Sequence, residues 1–286
     1  MTEISDTPTT ASPATEESGA KPATQVGPRM LGRFNLMGLW TLYLKEVRRF
    51  LNVLTQTVVA PVVMSLLFLA VFTLALGRGS MSVAGIPYPE FLAPGLIIMQ
   101  MLQNSFANTS SSLVIAKVQG NIVDVLMPPL SPGELTLGYV GGGMTRGLLV
   151  GFAAGLAVWP FVRYGIHDPL AIIYYAINAS MMLSLLGILG GVWADKFDHI
   201  AAVTNFVIMP LSFLSGTFYS VERLPENWVF VAHLNPFFYL IDGFRYGIIG
   251  HSDSPIWMGA LIVAGVNVIL WTLTYRMLAT GYKLKP

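Results

Sequence analysis

Six stretches of this chain, residues 53–76, 91–113, 137–159, 170–193, 200–219 and 256–278, are apolar over the length a helix needs to cross a bilayer. About 30 Å of hydrocarbon takes around 20 helical residues, so each run reads as a membrane-spanning helix. Composition agrees. Of the 286 residues 54% are hydrophobic and 11% charged, with a mean hydropathy of +0.63, against roughly 45–50% and 25% in soluble domains. A soluble globular enzyme is excluded, and the 28 glycines suit close helix packing in lipid. The expected fold is an all-α membrane protein. It has six transmembrane helices, an N-terminal interfacial amphipathic helix, and short outer re-entrant helices between spans five and six.

Residues 1–28 are rich in Thr, Ala, Ser, Pro and Glu and carry almost no large apolar side chain, which predicts a disordered tail. Glu3, Asp6, Glu16 and Glu17 stand where a signal peptide would carry its basic start and apolar run, so the first span is expected to be retained. Residues 29–52 predict the interfacial helix. Leu36, Leu39, Trp40, Tyr43, Leu44, Val47 and Leu51 recur at helical spacing, while Lys45, Arg48, Arg49 and Asn52 share the other side. Residues 53–286 then form the six-span domain, with a polar loop at 114–136 and an outer segment at 220–255.

Cytoplasmic loops carry the Lys/Arg excess. With the N-terminus inside, the inner side holds Lys21, Arg29, Arg33, Lys45, Arg48, Arg49, Lys117, Lys196, Arg276, Lys283 and Lys285. The outer side holds Arg78, Arg163, Arg223 and Arg245. Both termini are therefore expected in the cytoplasm of a multi-pass protein.

Little in the chain suggests chemistry. There is no cysteine to serve as nucleophile or metal ligand, the four histidines are scattered, and a net charge of +1 gives no field to hold nucleic acid. No Gly-x-x-x-x-Gly-Lys-[Ser/Thr] run occurs, so the polypeptide is not expected to hydrolyse ATP. Asp195, Asp198 and His199 cluster in a short inner loop and read as caps and turn residues rather than a catalytic or metal site. No catalytic residue, metal or cofactor is assigned to the chain itself. The spans are almost free of Asp, Glu, Lys and Arg, which counts against an ion-coupled carrier. The energy source is expected elsewhere.

Arg146 lies inside the third span and leaves two readings open: a guanidinium facing a substrate pathway, or a long side chain snorkelling to the headgroups. Gly143, Gly147, Gly151 and Gly155 put glycine along one face of the same span, against a helix of this chain or of a second protomer. Pro61 and Pro210 lie within spans and predict kinks. In the loop AKVQGNIVDVLMPPLSPGEL, residues 116–135, Ile122, Val123, Leu126 and Met127 form a short apolar stripe that Pro128, Pro129 and Pro132 terminate. Such a tethered amphipathic helix suits a partner's groove. In the outer segment, Trp228, Phe230, Phe237, Phe238 and Tyr239 suit an aromatic layer.

That segment also contains LNPFFYLIDGFRYG, in which Asn235, Pro236, Tyr239 and Arg245 resemble the Asn-Pro-x-x-Tyr-x5-Arg signature of type-2 ABC exporter permeases. SGTFYSVERLP before it, VLMPPLS in the inner loop, and a first helix with Glu46, Arg48 and Arg49 are similar to the same family. The resemblance implies a half-transporter of the bacterial inner membrane: two copies of the chain form the pathway, and two copies of a separate ATPase subunit, holding ATP and Mg, dock beneath. Lys117, Asn121, Asp124, Met127 and Pro128 would then belong to the coupling segment, and Glu46, Arg48 and Arg49 to the connecting helix. Val123-Asp124 departs from a commoner pair of acids, and the long tail is not a family feature. Implied cargoes are amphiphiles, lipid-linked saccharides, polysaccharides or drugs. A membrane-embedded transferase, using His167, His199 or His233 as base, and a passive channel or assembly factor are the alternatives.

Overall fold

The computed structural model describes residues 34–76, 82–83, 85–221 and 224–284. The expected tail at 1–28 and the first residues of the connecting helix lie outside them. Helix α1 (Leu36–Leu51) opens on Asn35, whose side chain accepts from the Gly38 N–H. A π-helical stretch, Thr55–Val59, runs into α2 (Ala60–Leu76). A minimal antiparallel pairing of β1 (Ser82–Val83) with β2 (Ile86–Pro87) follows. Then come α3 (Tyr88–Val118), the single-turn α4 (Ile122–Leu126), α5 (Pro132–Val158) and α6 (Pro169–Trp193). The chain continues through α7 (Phe197–Val203), a second π-helical stretch, Thr204–Ile208, and α8 (Met209–Leu214). It ends with α9 (Glu226–Leu234), α10 (Pro236–Ile249) and α11 (Ile256–Thr280).

The starts of α5 and α6 are written locally. Ser131 and Glu134 make a reciprocal capping box ahead of Pro132, and Asp168 accepts from the Leu170 and Ala171 N–H groups ahead of α6.

Among the described residues, five helices are long and apolar enough to cross a membrane: Thr55–Leu74, Pro132–Val158, Pro169–Trp193, Phe197–Leu214 and Ile256–Thr280. The molecule is thus an all-helical membrane protein apart from the two-residue strands. Helix α3 has the length, 31 residues, or about 46 Å at the α-helical rise. Its middle is polar, however: Gln100, Gln103, Asn104, Ser105, Asn108, Thr109, Ser110, Ser111 and Ser112. Packing explains this, because α3 is buried by its neighbours and meets side chains where the outer helices meet lipid. The expected span at 200–219 ends earlier, at Leu214. Gly216 takes a left-handed φ of +77°, and the chain turns back there.

Small residues let α5 and α6 close on α3. A Cβ at Gly147 would collide with the Ser105 hydroxyl, at Gly151 with the Met101 side chain, and at Gly143 with Ser184 Oγ and the Thr109 methyl. The glycine row is therefore filled by helices of the same chain, while Gly155 has only ordinary neighbours, the nearest 3.4 Å away. A second row, Gly138 and Gly142, admits Leu42 and Glu46 of α1.

Pro61 and Pro210 each follow a π-helical stretch. The segments TQTVVAP (55–61) and TNFVIMP (204–210) share a threonine, then an amide, a valine at the fourth place and proline at the seventh. A proline has no N–H and crowds the preceding turn, and one widened turn absorbs both problems.

Candidate functional site

At the α4 end of the bundle, the expected coupling residues divide into two groups. Asn121, Asp124, Met127 and Pro128 are exposed, and Met127 is 75% exposed, an unusual position for a large apolar side chain. Val125 turns inward and anchors the short helix. Lys117 is held inside the fold: its ammonium donates to the Val192 and Ala194 carbonyls at 2.8 and 2.7 Å and so closes the C-terminus of α6. Lys117 and Lys283 both reach Asp195, each at 3.3 Å, which makes Asp195 a bridge between α3, α6 and the C-terminal segment.

The Lys117 and Lys283 ammoniums hold the Asp195 carboxyl below the usual carboxylate range. A depressed carboxylate stabilises the fold above its ordinary titration range and loses that contribution as pH falls through the lowered value. Asp195→Asn should therefore lower the unfolding temperature slightly at neutral pH. The difference from wild type should shrink as pH falls through the lowered carboxyl value, and a difference that persists in strong acid would show that the bridge is not ionic.

Helix α1 departs from the expected amphipathic layout. Lys45 and Arg48 are exposed, but Arg49 turns inward with Glu46, which is fully buried. Glu46 pairs with Arg49 at 3.0 Å and accepts from Ser112 at 2.6 Å. Arg49 in turn donates to the Asn108 carbonyl, the Asn108 side-chain oxygen and the Ser111 hydroxyl. The solvated basic side assigned to Lys45, Arg48, Arg49 and Asn52 thus loses Arg49, because α3 offers polar partners that the apolar pattern of α1 alone does not reveal.

Arg146 sits 14 residues into the 27-residue α5, so its Cα lies near the middle of the span. Its guanidinium donates to Asn104 of α3 at 2.9 Å. The side chain stops at this contact within the bundle. Gln100, Gln103, Asn104, Asn108 and Ser111 follow the i, i+3, i+4, i+8, i+11 pattern of one helix stripe, and that spacing was the available sequence signal for this seam.

The outer-segment motif has a structural use at every position described. Asn235 caps α10, accepting from the Phe237 N–H, and donates to the Leu211 carbonyl and Ser215 hydroxyl. Pro236 occupies the first turn, and Tyr239 is buried against Phe238 and His233. Arg245 is buried, donating to the Gly216 carbonyl with its guanidinium 4.0 Å over the Phe91 ring. Asn235→Ala removes one cap and two further bonds, and should cost about 1–3 kcal/mol. An unfolding midpoint equal to wild type would mean water replaces all three.

Among the described residues, the histidines named for a transferase make no hydrogen bond to a nucleophilic side chain. His233 bonds the Val229 carbonyl, His199 accepts from the Asp195 N–H, and His167 packs edge-on to Tyr246. Ser220, Asp253 and His251 do meet, but Asp253 stands between the other two, so no imidazole contacts the serine hydroxyl. Among the described residues no group of three His, Cys, Asp or Glu side chains is placed to hold a metal.

The family model described as ABC-2 type transporter matches residues 37–249, from α1 through α10. The chain belongs to this family. The inner membrane transport permease YadH of Escherichia coli (strain K12) is 37% identical over 244 residues, covering 84% of this chain and 95% of that protein. Nodulation protein J of Neorhizobium galegae is 28% identical over 197 residues, covering 67% and 75%. The same-named protein of Sinorhizobium fredii is 26% identical, covering 65% and 72%. This ABC-2 member is a transport permease, and its helices carry the apolar surface of a multi-pass membrane protein.

Proposed function

We propose that the chain is the permease half of an ATP-driven exporter. In this reading α3 is a sixth span, α9 and α10 are re-entrant helices on the outer side, and both termini are cytoplasmic. Two copies form the pathway in a bacterial inner membrane, and two copies of a separate ATPase subunit, with ATP and Mg bound there, dock on the α4 side. Cargo is an amphiphile, lipid-linked saccharide, polysaccharide or drug.

The single observation that carries this is the exposed tip of α4. Val123, Asp124 and Met127 stand exposed on a helix that Val125, Ile122 and Leu126 anchor to the core, and solvent-exposed apolar side chains beside a carboxylate suit docking into another protein's groove. A closing ATPase pair would push α4 and, through the contacts of Glu46 and Arg49, tilt α1 and α3 together.

Affinity purification of the tagged chain in mild detergent tests the reading. A vanadate-sensitive ATPase should co-purify, and Met127→Asp should lower coupled activity about tenfold, the effect of roughly 1.4 kcal/mol at an interface, while leaving the unfolding temperature unchanged. A well-folded chain with no ATPase would remove the proposal.

A further inference from the structure

The polar seam between α1, α3 and α5 is not balanced. Arg49 and Arg146 bring two positive charges and repel one another, whereas among the described residues Glu46 supplies the one carboxylate in contact with them. Hydrogen bonding is unbalanced in the same direction. Arg49 Nε, Gln103 Nε2, Asn108 Nδ2 and Arg146 Nε are all buried N–H donors without a partner among the described residues. Four unanswered donors and a surplus positive charge inside a membrane protein carry a large desolvation penalty, and an acceptor-rich anion would relieve it.

The geometry is suited to one ligand. Arg49 binds Asn108 and Arg146 binds Asn104, so the two guanidiniums are anchored to residues four apart on α3, about 6 Å along its axis. The stripe is also reachable, since Gln103, Ser111, Arg49 and Arg146 each retain some exposure. Arg49 further lines a cavity shared with Lys45 and Arg48, which places two more cations at the approach.

We propose that this seam binds a phosphate-type oxyanion, held by Arg49 and Arg146 with Asn108 and Gln103 donating to its remaining oxygens. Three phosphate oxygens accept more donors than a neutral polar group and match guanidinium geometry. That the anion arrives as part of the cargo rests on the permease reading; the binding chemistry does not.

The test uses the full chain in neutral detergent, without any ATPase, so a missing ATPase partner would undo the permease reading and leave this result standing. Unfolding temperature is followed against sodium phosphate and, separately, dihexanoylphosphatidic acid, with sodium chloride at matched ionic strength as reference. Wild type should show a saturable rise. A response to phosphate would identify a site for the free ion, and a response to phosphatidic acid alone a site that also needs the lipid portion; either supports the oxyanion site. Arg146→Gln should weaken the apparent affinity by roughly 10- to 100-fold, the loss of a charge-assisted hydrogen bond, and Arg163→Gln, an exposed cation elsewhere, should not. If Arg146→Gln fails to fold, Gln103→Leu decides, with a loss of about tenfold expected. No saturable rise with either probe, or an equal rise in Arg146→Gln or Gln103→Leu, overturns the proposal.

Discussion

Replacing Glu46 with leucine is expected to destabilise the chain more than any other single change in α1. The carboxylate is fully buried, paired with Arg49 at 3.0 Å and bonded by Ser112 at 2.6 Å. Removing it leaves Arg49 facing Arg146 with no counter-charge, and leaves the Ser112 hydroxyl without its acceptor. Breaking a buried pair from one side costs about 3–5 kcal/mol. Because the Arg49 side chain is 27% exposed, the lower end, near 3 kcal/mol, is expected. The double variant Glu46→Leu/Arg49→Leu should recover part of the loss, since no orphan charge remains. Thermal unfolding in detergent reads both, and a Glu46→Leu midpoint equal to wild type would mean that water or a counter-ion already neutralises Arg49.

A second large effect is expected at Gly147. A side chain there meets the Ser105 hydroxyl first, then the Met101 carbonyl at 3.1 Å and Ser180 Oγ at 3.1 Å. The hydroxyl can rotate away, but the α3 backbone cannot move without unseating α6 as well. Overpacking costs of about 1–3 kcal/mol in forgiving cores should be exceeded, and Gly147→Leu should not accumulate as folded protein. Gly155→Leu is the matched control. It belongs to the same row yet borders a cavity of 530 Å³, with its nearest neighbour 3.4 Å away, so it should fold and unfold close to wild type. Equal behaviour of the two variants would mean that α5 does not pack on α3 as described.

Much of this architecture is readable from residues because lipid leaves the backbone few options. The apolar runs mark α2, α5, α6, the α7–α8 segment and α11, and the capping signals mark where α5 and α6 start. Legibility fails where a side chain's environment is made by another helix. The Lys117 contacts that close α6 are not readable, since the acceptors that hold it lie 75 residues or more away in sequence. Arg49 reads as solvated until the Asn108 and Ser111 groups of α3 are brought beside it. The glycine row of α5 is evident in the sequence, but its partner is not, since spacing carries no information about which backbone fills it.

Helix α3 is the instructive case. A window average treats its glutamines, asparagines and serines as diluting a span, whereas their arrangement separates two stripes with different uses. Ser105 and Thr109 pack on the small residues of α5 and α6. Gln103, Asn104 and Asn108 face the two arginines or are left with open donors. The outer-segment motif is legible for a different reason: Asn235 satisfies a carbonyl of α8 and Arg245 one of the turn that follows it, so the spacing of the motif reflects how this one region folds.

The most direct test of the central claim, that an ATPase docks on α4, exploits the absence of cysteine from the chain. Met127→Cys introduces a single thiol at the exposed tip of α4, and Leu261→Cys one on the exposed apolar face of α11. Each variant is treated with a short thiol-reactive photo-crosslinker in native membranes containing the co-expressed ATPase. Capture of the ATPase from position 127 and not from 261 is the predicted result. No capture at 127, or equal capture at both positions, would contradict the account.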